Sequence, residues 1–581
     1  MCGVFAYFDP SGAPPPDRTG PILAALGRRG PDGQGFAHFP GCSLLHTRLA
    51  ILDPARGQQP MRHAQTGLAI SYNGEVYNAA QLRAALEARG QVFRTTTDTE
   101  VVLAAFAEYG AASIPMLEGM FAFAIWDPRD RRLHVARDRM GEKPLFFAEL
   151  SGKRIMVASE LKALLAAGLE ASPDLQALDH YLRWKHVPAD RAIYAEVKVV
   201  PPAHVLSFGG SDAHTTRYWS LPPATQTPLS RERALEELGE LLATSVSNRL
   251  LSDRHVGIFL SGGIDSTLIG AFAAKAADRR LFSYSASYPG DLDEAPRAEL
   301  AARSFGLEHT TLAVDGPAPE ELAQVCAYLD QPHADSANLA QAVLSRRAAR
   351  DVSVILSGDG ADELFWGYDW YAQAEPFQNR LDRMTILPAD ARRALLPDLG
   401  SRRVREPEPC GDRIDAINTF DLTHYLGGQL LPKADLLGMM HGIEVRAPFL
   451  DHRLVEFARA LPAECKAGPP AKPLLRDLLG RICPNLLPDT RKQGFGAPLV
   501  AWLDQAGFRA YVRERLSRSA QIRELLEPHA FDRQVAEAFA EPSRANAYRL
   551  WLFLCLELWA ASLRSSRPPL AEATPEADTP R

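Results

Sequence analysis

The stretch Val256-Gly-Ile-Phe-Leu-Ser-Gly-Gly-Ile-Asp-Ser-Thr267 decides how the second half of the chain folds. Its first five residues are mostly apolar and β-prone, a Ser-Gly-Gly turn follows, and residues 268–277 have the pattern of a helix. A buried parallel strand that enters a helix through glycines leaves unpaired N–H groups that point at one place. Such amides, and the positive end of a helix, favour anions. The stretch therefore predicts a phosphate-binding loop.

The side chains of this loop refine the prediction. Gly262 and Gly263 allow the backbone to approach a ligand closely, and Ser261 and Ser266 add hydroxyl donors. Asp265 would repel a phosphate unless a divalent cation lay between the two. A lone Ser-Gly-Gly is often an ordinary turn with a helix cap, but the full S-G-G-x-D-S after an apolar strand is far more specific. It resembles the PP-loop of ATP pyrophosphatases, which split ATP into AMP and pyrophosphate while they adenylate a substrate.

A second apolar strand also ends in glycines, within Val352-Ser-Val-Ile-Leu-Ser-Gly-Asp-Gly-Ala-Asp-Glu-Leu-Phe-Trp-Gly-Tyr368. Acidic loops are often solvated turns. Here Asp359, Asp362 and Glu363 are crowded at a strand end, where they repel one another unless a cation lies among them. We predict that Asp265 and Asp362 hold Mg²⁺, which bridges the phosphates of ATP.

The surrounding pattern alternates between helix and strand. It predicts strands at 281–287 and within 306–314, with a helix at 295–305 between them, as in a doubly wound α/β parallel sheet whose ligands lie at the carboxyl ends of its strands. Basic residues in glycine-flanked loops can neutralise the charge that develops on departing pyrophosphate. Such residues occur in four segments downstream, at 433–435, 442–452, 472–476 and 491–498.

Length and composition limit the class of protein. A chain of 581 residues with 46% hydrophobic and 23% charged residues is globular and too long for one core, so two to four domains are expected. A net charge of −7 provides no basic patch for nucleic acid. The seven cysteines have no metal-binding spacing, which suits a reducing cytoplasm. No signal peptide is evident at the N-terminus. The longest apolar run, 550–563, is too short to span a bilayer and predicts a core helix.

Turn-forming segments suggest where the domains divide. We expect a first domain at 2–205, a linker with the start of a helix at 206–235, a second domain at 236–560 and a disordered tail at 561–581.

The first domain begins with a candidate nucleophile. Cys2 follows the initiator methionine, and so small a second residue normally lets an aminopeptidase remove Met1. The new α-amine titrates near ~7.7–8.0 and the thiol near ~8.5, so the amine can serve as a local base. Taken alone, an early cysteine is more often a buried strand residue.

Polar residues downstream have complementary properties. The Arg48 guanidinium can bind a carboxylate through two parallel hydrogen bonds, while Glu75 and Asp98 can accept hydrogen bonds from an α-ammonium group. The Asn73 side-chain amide and the Gly74 N–H can point at an oxyanion. Together they fit an amino acid whose side-chain amide is attacked by a thiolate. Taken singly, Asn73-Gly74 is typical of a hairpin turn and Asp98 of a helix cap.

Seven ordered motifs resemble those of class II glutamine amidotransferases. The resemblance implies an N-terminal-nucleophile fold with four αββα layers, and hydrolysis of glutamine through a thioester on Cys2. It implies a glutamine pocket of Arg48, Leu49, Ala50, Ile51, Leu52, Asn73, Gly74, Glu75 and Asp98. The motifs are Cys2, Arg29-Gly-Pro-Asp-Gly-Gln-Gly35, His46-Thr-Arg-Leu-Ala-Ile-Leu-Asp53, Tyr72-Asn-Gly-Glu-Val-Tyr-Asn78, Thr97-Asp-Thr-Glu100, Gly119-Met-Phe-Ala-Phe-Ala124 and Ala136-Arg-Asp-Arg-Met-Gly-Glu-Lys-Pro-Leu145.

Residues 1–560 as a whole resemble the glutamine-hydrolysing asparagine synthetases. The resemblance implies that Asp359 lies near the acyl acceptor and Lys492 on the departing phosphate, with a homodimer as a further family expectation. It implies that the nucleotide contacts Leu260, Ala286, Ser357 and Gly358.

One segment and two single residues depart from the family pattern. The usual D-R-x-S-M reads Asp435-Leu-Leu-Gly-Met439, with changes at 436–438; Trp366 replaces a glycine; and Asp359 is one methylene shorter than the glutamate found in some members.

The resemblance implies a ligase that uses ATP, Mg²⁺ and glutamine to amidate a small carboxylate, by default aspartate. Three alternatives remain. The first is a paralogue that amidates another acid of secondary metabolism, a peptide or a polysaccharide precursor. The second is a ring-closing enzyme similar to β-lactam synthetase, against which Cys2 and the complete glutamine pocket argue. The third is a non-catalytic binding protein, against which the intact S-G-G-x-D-S argues.

Overall fold

The computed structural model describes residues 1–14, 17–210, 212–225, 227–288, 293–314, 316, 318–372, 376–400, 413–487 and 497–565. Within them the strands form two antiparallel sheets and one parallel sheet. The strands are β1 (Gly3–Phe8), β2 (Gly33–Phe39), β3 (Cys42–Arg48), β4 (Met61–Arg62), β5 (Ala69–Val76), β6 (Gly119–Asp127), β7 (Arg132–Arg137), β8 (Phe146–Leu150), β9 (Arg154–Ala158), β10 (Val197–Val199), β11 (His204–Phe208), β12 (Ala213–Arg217), β13 (Val256–Phe259), β14 (Phe282–Ser287), β15 (Glu308–Ala313), β16 (Val354–Leu356) and β17 (Glu444–Arg446).

Helices surround all three sheets. The first part of the chain contains α1 (Thr19–Leu26), α2 (Ala79–Glu87), α3 (Asp98–Tyr109), α4 (Leu161–Ala166) and α5 (Leu175–Trp184). The second part contains a π-helix (Asp421–Leu430) and α6 (Arg231–Arg249), α7 (Ile264–Ala276), α8 (Ala295–Phe305), α9 (Pro319–Tyr328), α10 (Asn338–Ala348), α11 (Ala361–Leu364), α12 (Asp369–Ala372), α13 (Phe377–Met384), α14 (Ala389–Leu395), α15 (Arg413–Phe420), α16 (Leu431–Met439), α17 (His452–Ala460), α18 (Ala463–Lys466), α19 (Pro473–Ile482), α20 (Leu499–Asp504), α21 (Ala506–Ser517), α22 (Ile522–Leu525), α23 (Pro528–Ala540) and α24 (Arg544–Ser565).

The two antiparallel sheets stack face to face, with strand orders β10-β8-β9-β1-β3-β2 and β12-β11-β7-β6-β5-β4. Successive side chains of each strand point alternately toward the other sheet and toward the helices. Val4 and Ala6 of β1 pack with Ala122 and Ala124 of β6 in the layer between the sheets. The opposite faces are covered by α1 and α4 on one side and by α2 and α3 on the other. The predicted αββα arrangement is confirmed.

The second antiparallel sheet extends into the segment predicted as a linker. Strands β11 and β12 pair with β7 and with each other, so this sheet continues to Arg217 rather than ending near residue 205. β12 lies at the edge of the sheet, is composed largely of polar residues, and is exposed along its whole length. The segment therefore has no apolar alternation by which a strand could be recognised.

The parallel sheet has the order β15-β14-β13-β16-β17, and the predicted doubly wound α/β class is confirmed. Because β13 and β16 are neighbours, the loops that follow their carboxyl ends meet at one edge of the sheet. Helix α7 begins at Ile264, directly after the Ser-Gly-Gly turn, and so starts four residues before the predicted position.

The predicted core helix at 550–563 lies within α24, which is buried over most of its length. This helix continues through residues 561–565, which were predicted to begin the disordered tail. The remainder of the tail lies outside the described residues. Among the helices that the structure describes, none has the length and apolar character needed to cross a membrane.

Candidate active sites

Cys2 lies at the start of β1, at the edge of a cleft. Its backbone N–H donates to Asn73 Oδ1 at 2.8 Å, and its carbonyl oxygen accepts from Arg29 Nε at 3.1 Å. The Cys2 Sγ lies 4.0 Å from the carbonyl oxygen of Leu49. These contacts hold the thiol in one place on the rigid scaffold of the first sheet.

The electrostatic surroundings keep this thiol neutral. Burial raises the pKa of Cys2, and the positive charges of the Met1 ammonium and Arg48 oppose that rise without cancelling it. Met1 is itself buried and lines the same cleft. A nucleophilic thiolate at this position therefore needs a base close by.

The cleft in front of Cys2 brings together most of the predicted glutamine pocket. Ala50 lies in the same loop, where its N–H donates to Asp32 Oδ2 at 2.8 Å and its carbonyl accepts from Arg254 Nε at 3.0 Å. Asn73 joins the site through its bond to Cys2. The cleft is lined by Met1, Cys2, Arg48, Leu49, Ile51, Leu52, Gly57, Gln59, Tyr72, Gly74, Glu75, Thr97, Asp98, Thr99 and Glu444.

Asn73 and Gly74 belong to strand β5 and not to a hairpin turn. Asn73 is fully buried, and its Nδ2 makes no hydrogen bond within the described part of the chain. A buried amide donor without a partner is costly, so it suits a ligand oxygen. A Cβ at Gly74 would lie 2.3 Å from Met120 O and 2.7 Å from Phe121 Cα. The neighbouring strand β6 therefore requires glycine here.

Arg48 is fixed before any ligand binds. Its guanidinium donates to the carbonyl oxygens of Pro54 at 2.9 Å, Leu52 at 2.9 Å and Asp53 at 2.8 Å. A Cβ at Gly57 would lie 2.2 Å from Arg48 Nη2, so glycine at this position makes room for the arginine. These three hydrogen bonds go to neutral carbonyls and not to a carboxylate, which suits the binding of a ligand carboxylate in the cleft.

Two acids face the same cleft. Asp98 Oδ2 accepts from the Tyr72 hydroxyl at 2.6 Å and from the Val76 N–H at 3.0 Å. Glu75 is buried, and its Oε1 has no hydrogen-bond partner among the residues described. Burial raises the pKa of Glu75 well above its ordinary value, and the charge of Asp98 adds to that rise. A cationic ligand group such as an α-ammonium would relieve this repulsion.

The synthetase half supplies two residues that the sequence reasoning did not assign to this pocket. Glu444 Oε2 lies 3.0 Å from the Met1 ammonium. Arg446 was included among the basic residues for pyrophosphate; instead its Nη2 binds Glu75 Oε2 at 3.1 Å and its Nε binds Glu444 Oε1 at 2.6 Å. Burial opposes ionisation of Glu444, but the Met1 ammonium and Arg446 hold its pKa at about 2.

The phosphate-binding loop is preorganised by its own serines. Ser266 Oγ accepts from the Ser261 N–H at 3.1 Å, and Ser261 Oγ accepts from the Gly263 N–H at 3.3 Å. Gly262 has φ +73°, and a Cβ there would lie 2.7 Å from the Ala298 nitrogen. The loop therefore packs against the start of α8 and presents the N-terminus of α7 to a phosphate.

The acidic loop meets the phosphate-binding loop, as the strand order requires. A Cβ at Gly358 would lie 3.2 Å from Asp265 Cβ, so the two loops are in contact. Ser357 Oγ donates to Asp359 Oδ2 at 2.7 Å, and the Tyr368 hydroxyl donates to Glu363 Oε1 at 2.7 Å. Burial raises the pKa of Glu363 to about 7.

Lys472 lies between the two predicted metal ligands. Its Nζ is 2.6 Å from Asp265 Oδ2 and 2.6 Å from Asp362 Oδ1. Burial lowers the pKa of Lys472, and Asp265 and Glu363 oppose that effect. Among the residues described, no cluster of three or more histidine, cysteine or acidic side chains could hold a metal ion. Two carboxylates nevertheless fit Mg²⁺, because this ion takes its remaining oxygens from phosphates and water.

The other predicted nucleotide contacts lie at or beside the same sheet edge. Leu260 is buried beside α8 directly after β13, and Ala286 is half-buried in β14. Ser357 and Gly358 follow β16. Lys492 lies outside the described residues.

A buried charge cluster joins the two halves of the chain. Arg29 Nη1 lies 2.7 Å from Asp435 Oδ2 and 3.3 Å from Glu160 Oε1, and Lys143 Nζ lies 3.4 Å from Asp435 Oδ1. All four side chains are almost fully buried. Since Arg29 also binds the Cys2 carbonyl, the cluster connects Cys2 to helix α16.

We expect that Asn73→Ala and Asn73→Asp will both reduce the kcat of glutamine hydrolysis by about 10²–10³-fold. Each change removes the Nδ2 donor, whereas aspartate keeps an oxygen that can hold the Cys2 nitrogen. Steady-state release of glutamate measures the effect, and iodoacetamide labelling of Cys2 tests whether the thiol remains accessible. Near-normal kcat in Asn73→Asp would remove the oxyanion role from Asn73.

Asp435→Ala is expected to lower the free energy of unfolding by about 3–5 kcal/mol, because Arg29 and Lys143 would lose their shared buried carboxylate. Urea denaturation followed by tryptophan fluorescence measures the change. Asp477→Ala provides a matched control, since Asp477 pairs with Arg231 on the surface at 2.6 Å and should contribute less than about 1 kcal/mol. Equal losses in the two variants would contradict the assigned role of Asp435.

Comparison with known proteins gives the same division into two halves. The family model described as glutamine amidotransferase domain matches residues 1–219, and the model described as asparagine synthase matches residues 237–561. Asparagine synthetase [glutamine-hydrolyzing] 1 of Bacillus subtilis is 29% identical, over 91% of each chain. A putative asparagine synthetase [glutamine-hydrolyzing] of Mycobacterium bovis is 30% identical, over 97% of each chain. Among solved structures, the glutamine PRPP amidotransferase of B. subtilis is 16% identical, over 54% of this chain and 91% of its own, with a TM-score of 0.31.

The fold and the two sites define a glutamine amidotransferase joined to an ATP-using synthetase. The chain belongs to the asparagine synthase family, and it is an amide-forming ligase that hydrolyses glutamine as its nitrogen donor.

Proposed function

We propose that this protein converts aspartate, glutamine and ATP into asparagine, glutamate, AMP and pyrophosphate. The observation that carries the proposal is the presence in one chain of two formed sites. One is a cleft with a cysteine, a free amide donor and charged groups of both signs. The other is a phosphate-binding loop in contact with an acidic loop. The free cysteines described are consistent with a reducing cytoplasm, which we propose as the location.

The mature enzyme in this proposal begins at Cys2. Removal of Met1 would convert the Cys2 nitrogen from an amide into an amine while the Asn73 oxygen still holds it. That amine would be the base that the buried thiol needs. Removal would also vacate the space of the Met1 side chain beside Glu75 and Glu444, inside the glutamine cleft.

Glutamine hydrolysis then follows from the positions of the polar groups. Arg48 binds the α-carboxylate of glutamine, and Glu75 and Asp98 bind its α-ammonium group. The Cys2 thiolate attacks the side-chain amide carbon, and the Asn73 Nδ2 and Gly74 N–H donate to the oxyanion. The amine of Cys2 passes a proton to the departing ammonia. Water then hydrolyses the thioester and releases glutamate.

The synthetase site prepares the acceptor. The N–H groups around Gly262 and Gly263 bind the phosphates of ATP, and Leu260, Ala286, Ser357 and Gly358 contact the nucleotide. The acceptor carboxylate attacks the α-phosphorus and becomes an acyl adenylate near Asp359, and Lys492 neutralises departing pyrophosphate. Asp265 and Asp362 would hold Mg²⁺, which when bound supplies positive charge to the phosphates.

Ammonia must pass between the sites without reaching water, because most ammonia in water at neutral pH is unreactive ammonium. The seam between the domains supports such a passage. Leu49, Ile51 and Met140 of the amidase half share one apolar cluster with Met439 and Leu450 of the synthetase half. An apolar seam favours a small neutral molecule over an ion.

Cys2→Ala should abolish glutamine-dependent synthesis and preserve synthesis from added ammonium, because only the first site needs the thiol. Amide formation and pyrophosphate release from each nitrogen source measure the outcome, with Cys42→Ala, a change in a buried cysteine away from the cleft, as the control. Intact-mass spectrometry of the purified protein should show the loss of Met1. Equal loss of both activities in Cys2→Ala would contradict the two-site scheme.

A second candidate is amidation of a carboxylate other than aspartate. The specific observation is that Leu436 and Leu437, in the segment that departs from the family pattern, pack into an apolar core cluster. A Cβ at Gly438 would lie 2.8 Å from Ile443 O, so this position requires glycine. The segment therefore offers no cation to an anionic acceptor.

Exchange of labelled pyrophosphate into ATP distinguishes these candidates, because exchange requires the acid that forms the adenylate. We expect the rate of exchange with aspartate to exceed the rates with glutamate, with succinate and with amino acids that have a single carboxylate by at least about tenfold. Absence of exchange with aspartate, together with exchange supported by another acid, would assign the second candidate.

A further inference from the structure

Lys472 is placed where the metal ion of the proposed ATP site would lie. Its ammonium contacts one carboxylate from each loop, at 2.6 Å to Asp265 and 2.6 Å to Asp362. The lysine side chain is only 3% exposed, and the two carboxylates are 17% and 16% exposed. A pair of acids that would otherwise repel each other is therefore held together by a cation that belongs to the chain.

The local backbone builds this contact. Lys472 has φ +57°, in the left-handed region, and immediately precedes α19. A Cβ at Gly367 would lie 1.9 Å from Asp362 Oδ1 and 2.2 Å from Lys472 Cε. The bare backbone of Gly367 thus provides the space in which the carboxylate and the lysine meet. Strained backbone that places a charged group is typical of functional sites.

We propose that Lys472 is an internal cation that takes the place of Mg²⁺ between Asp265 and Asp362 while nucleotide is absent, so that the metal binds only together with ATP. The inference rests on the proposed ATP-dependent function, and it adds an order of binding to it. Lys472 acts here as a positioning residue, since it keeps the two loops assembled before the substrate arrives.

Charge and coordination both support this order. Mg²⁺ requires oxygens at about 2.0–2.1 Å in octahedral geometry. A carboxylate oxygen already bound to an ammonium is a poor ligand, and the ammonium would repel a divalent ion placed beside it. Without nucleotide, the site has two negative charges and one positive charge. The phosphates of ATP add negative charge and the missing oxygens, so metal and lysine can then be accommodated together.

Binding of Mn²⁺, measured by electron paramagnetic resonance, tests the proposal without any activity assay. Mn²⁺ is the probe because it prefers the same oxygen ligands as Mg²⁺. The wild-type protein should bind Mn²⁺ tightly with α,β-methylene-ATP and at least tenfold more weakly without it. Lys472→Met should bind Mn²⁺ without nucleotide on the order of 10- to 100-fold more tightly than the wild type, because one repelling charge is gone.

Matched variants make the result specific. Lys472→Arg keeps the charge and should bind nucleotide-free Mn²⁺ as weakly as the wild type. Adding Asp362→Asn to Lys472→Met should remove the gain, because one of the two carboxylates is lost. Circular dichroism and thermal melting verify folding, and Lys472→Gln replaces the methionine variant if that protein does not fold.

Two results would overturn the proposal. Tight binding of Mn²⁺ to nucleotide-free wild-type protein would show that the lysine does not exclude the metal. Unchanged affinity in folded Lys472→Met and Lys472→Gln would show the same. Absence of Mn²⁺ binding to the wild-type protein even with the nucleotide analogue would instead show that the metal site of the proposed function fails. This outcome is distinguishable from the other two, because in both of them the wild-type protein binds Mn²⁺ when the analogue is present.

Discussion

The cleft beside Cys2 depends on one buried ion network that crosses between the domains. Arg446 is fully buried, and it binds Glu75 from the amidase sheet and Glu444 from its own strand. It also donates to the carbonyl oxygens of Arg249 at 2.8 Å and Leu251 at 2.6 Å. Removing a charge from water costs several kcal/mol, and only close partners offset that cost. Glu75, the acid that we propose to face the α-ammonium of glutamine, is therefore held by the ATP-using half, and the cleft is complete only when both halves are docked.

Local sequence patterns predicted the elements and residues whose neighbours lie close along the chain. The strand, turn and helix around Gly262 follow from residue order alone, and so does the meeting of the β13 and β16 loops, because parallel strands present their carboxyl ends to one edge. Asn73, Gly74 and Glu75 were predicted as site residues for the same reason, since a polar Asn-Gly-Glu segment between strand-like residues is conspicuous. The predicted boundary near residue 205 fell too early because β12, an exposed edge strand, has no apolar alternation.

Contacts between distant segments had no such signal. Glu75 and Arg446 are separated by 371 residues, and nothing in the loop around Arg446 indicates that it faces the first domain. Its glycine-flanked, basic context suggested phosphate binding instead. Charge and backbone flexibility can be read from neighbouring residues, whereas the direction in which a side chain points depends on the tertiary structure. Lys472 belonged to the same group of basic residues, and only its position between two carboxylates from different loops distinguishes it from a surface lysine.

The domain seam also bears on the proposed passage of nitrogen between the two sites. Arg29, Lys143 and Arg446 are buried cations whose acidic partners are already engaged in ion pairs. An ammonium ion entering the apolar cluster between the domains would lose its hydration, whereas ammonia carries no charge to desolvate. This cluster thus favours neutral ammonia, which is the form that can attack an acyl adenylate. Paired charges hold the two domains together, and the apolar cluster beside them excludes the ionised form of the nitrogen.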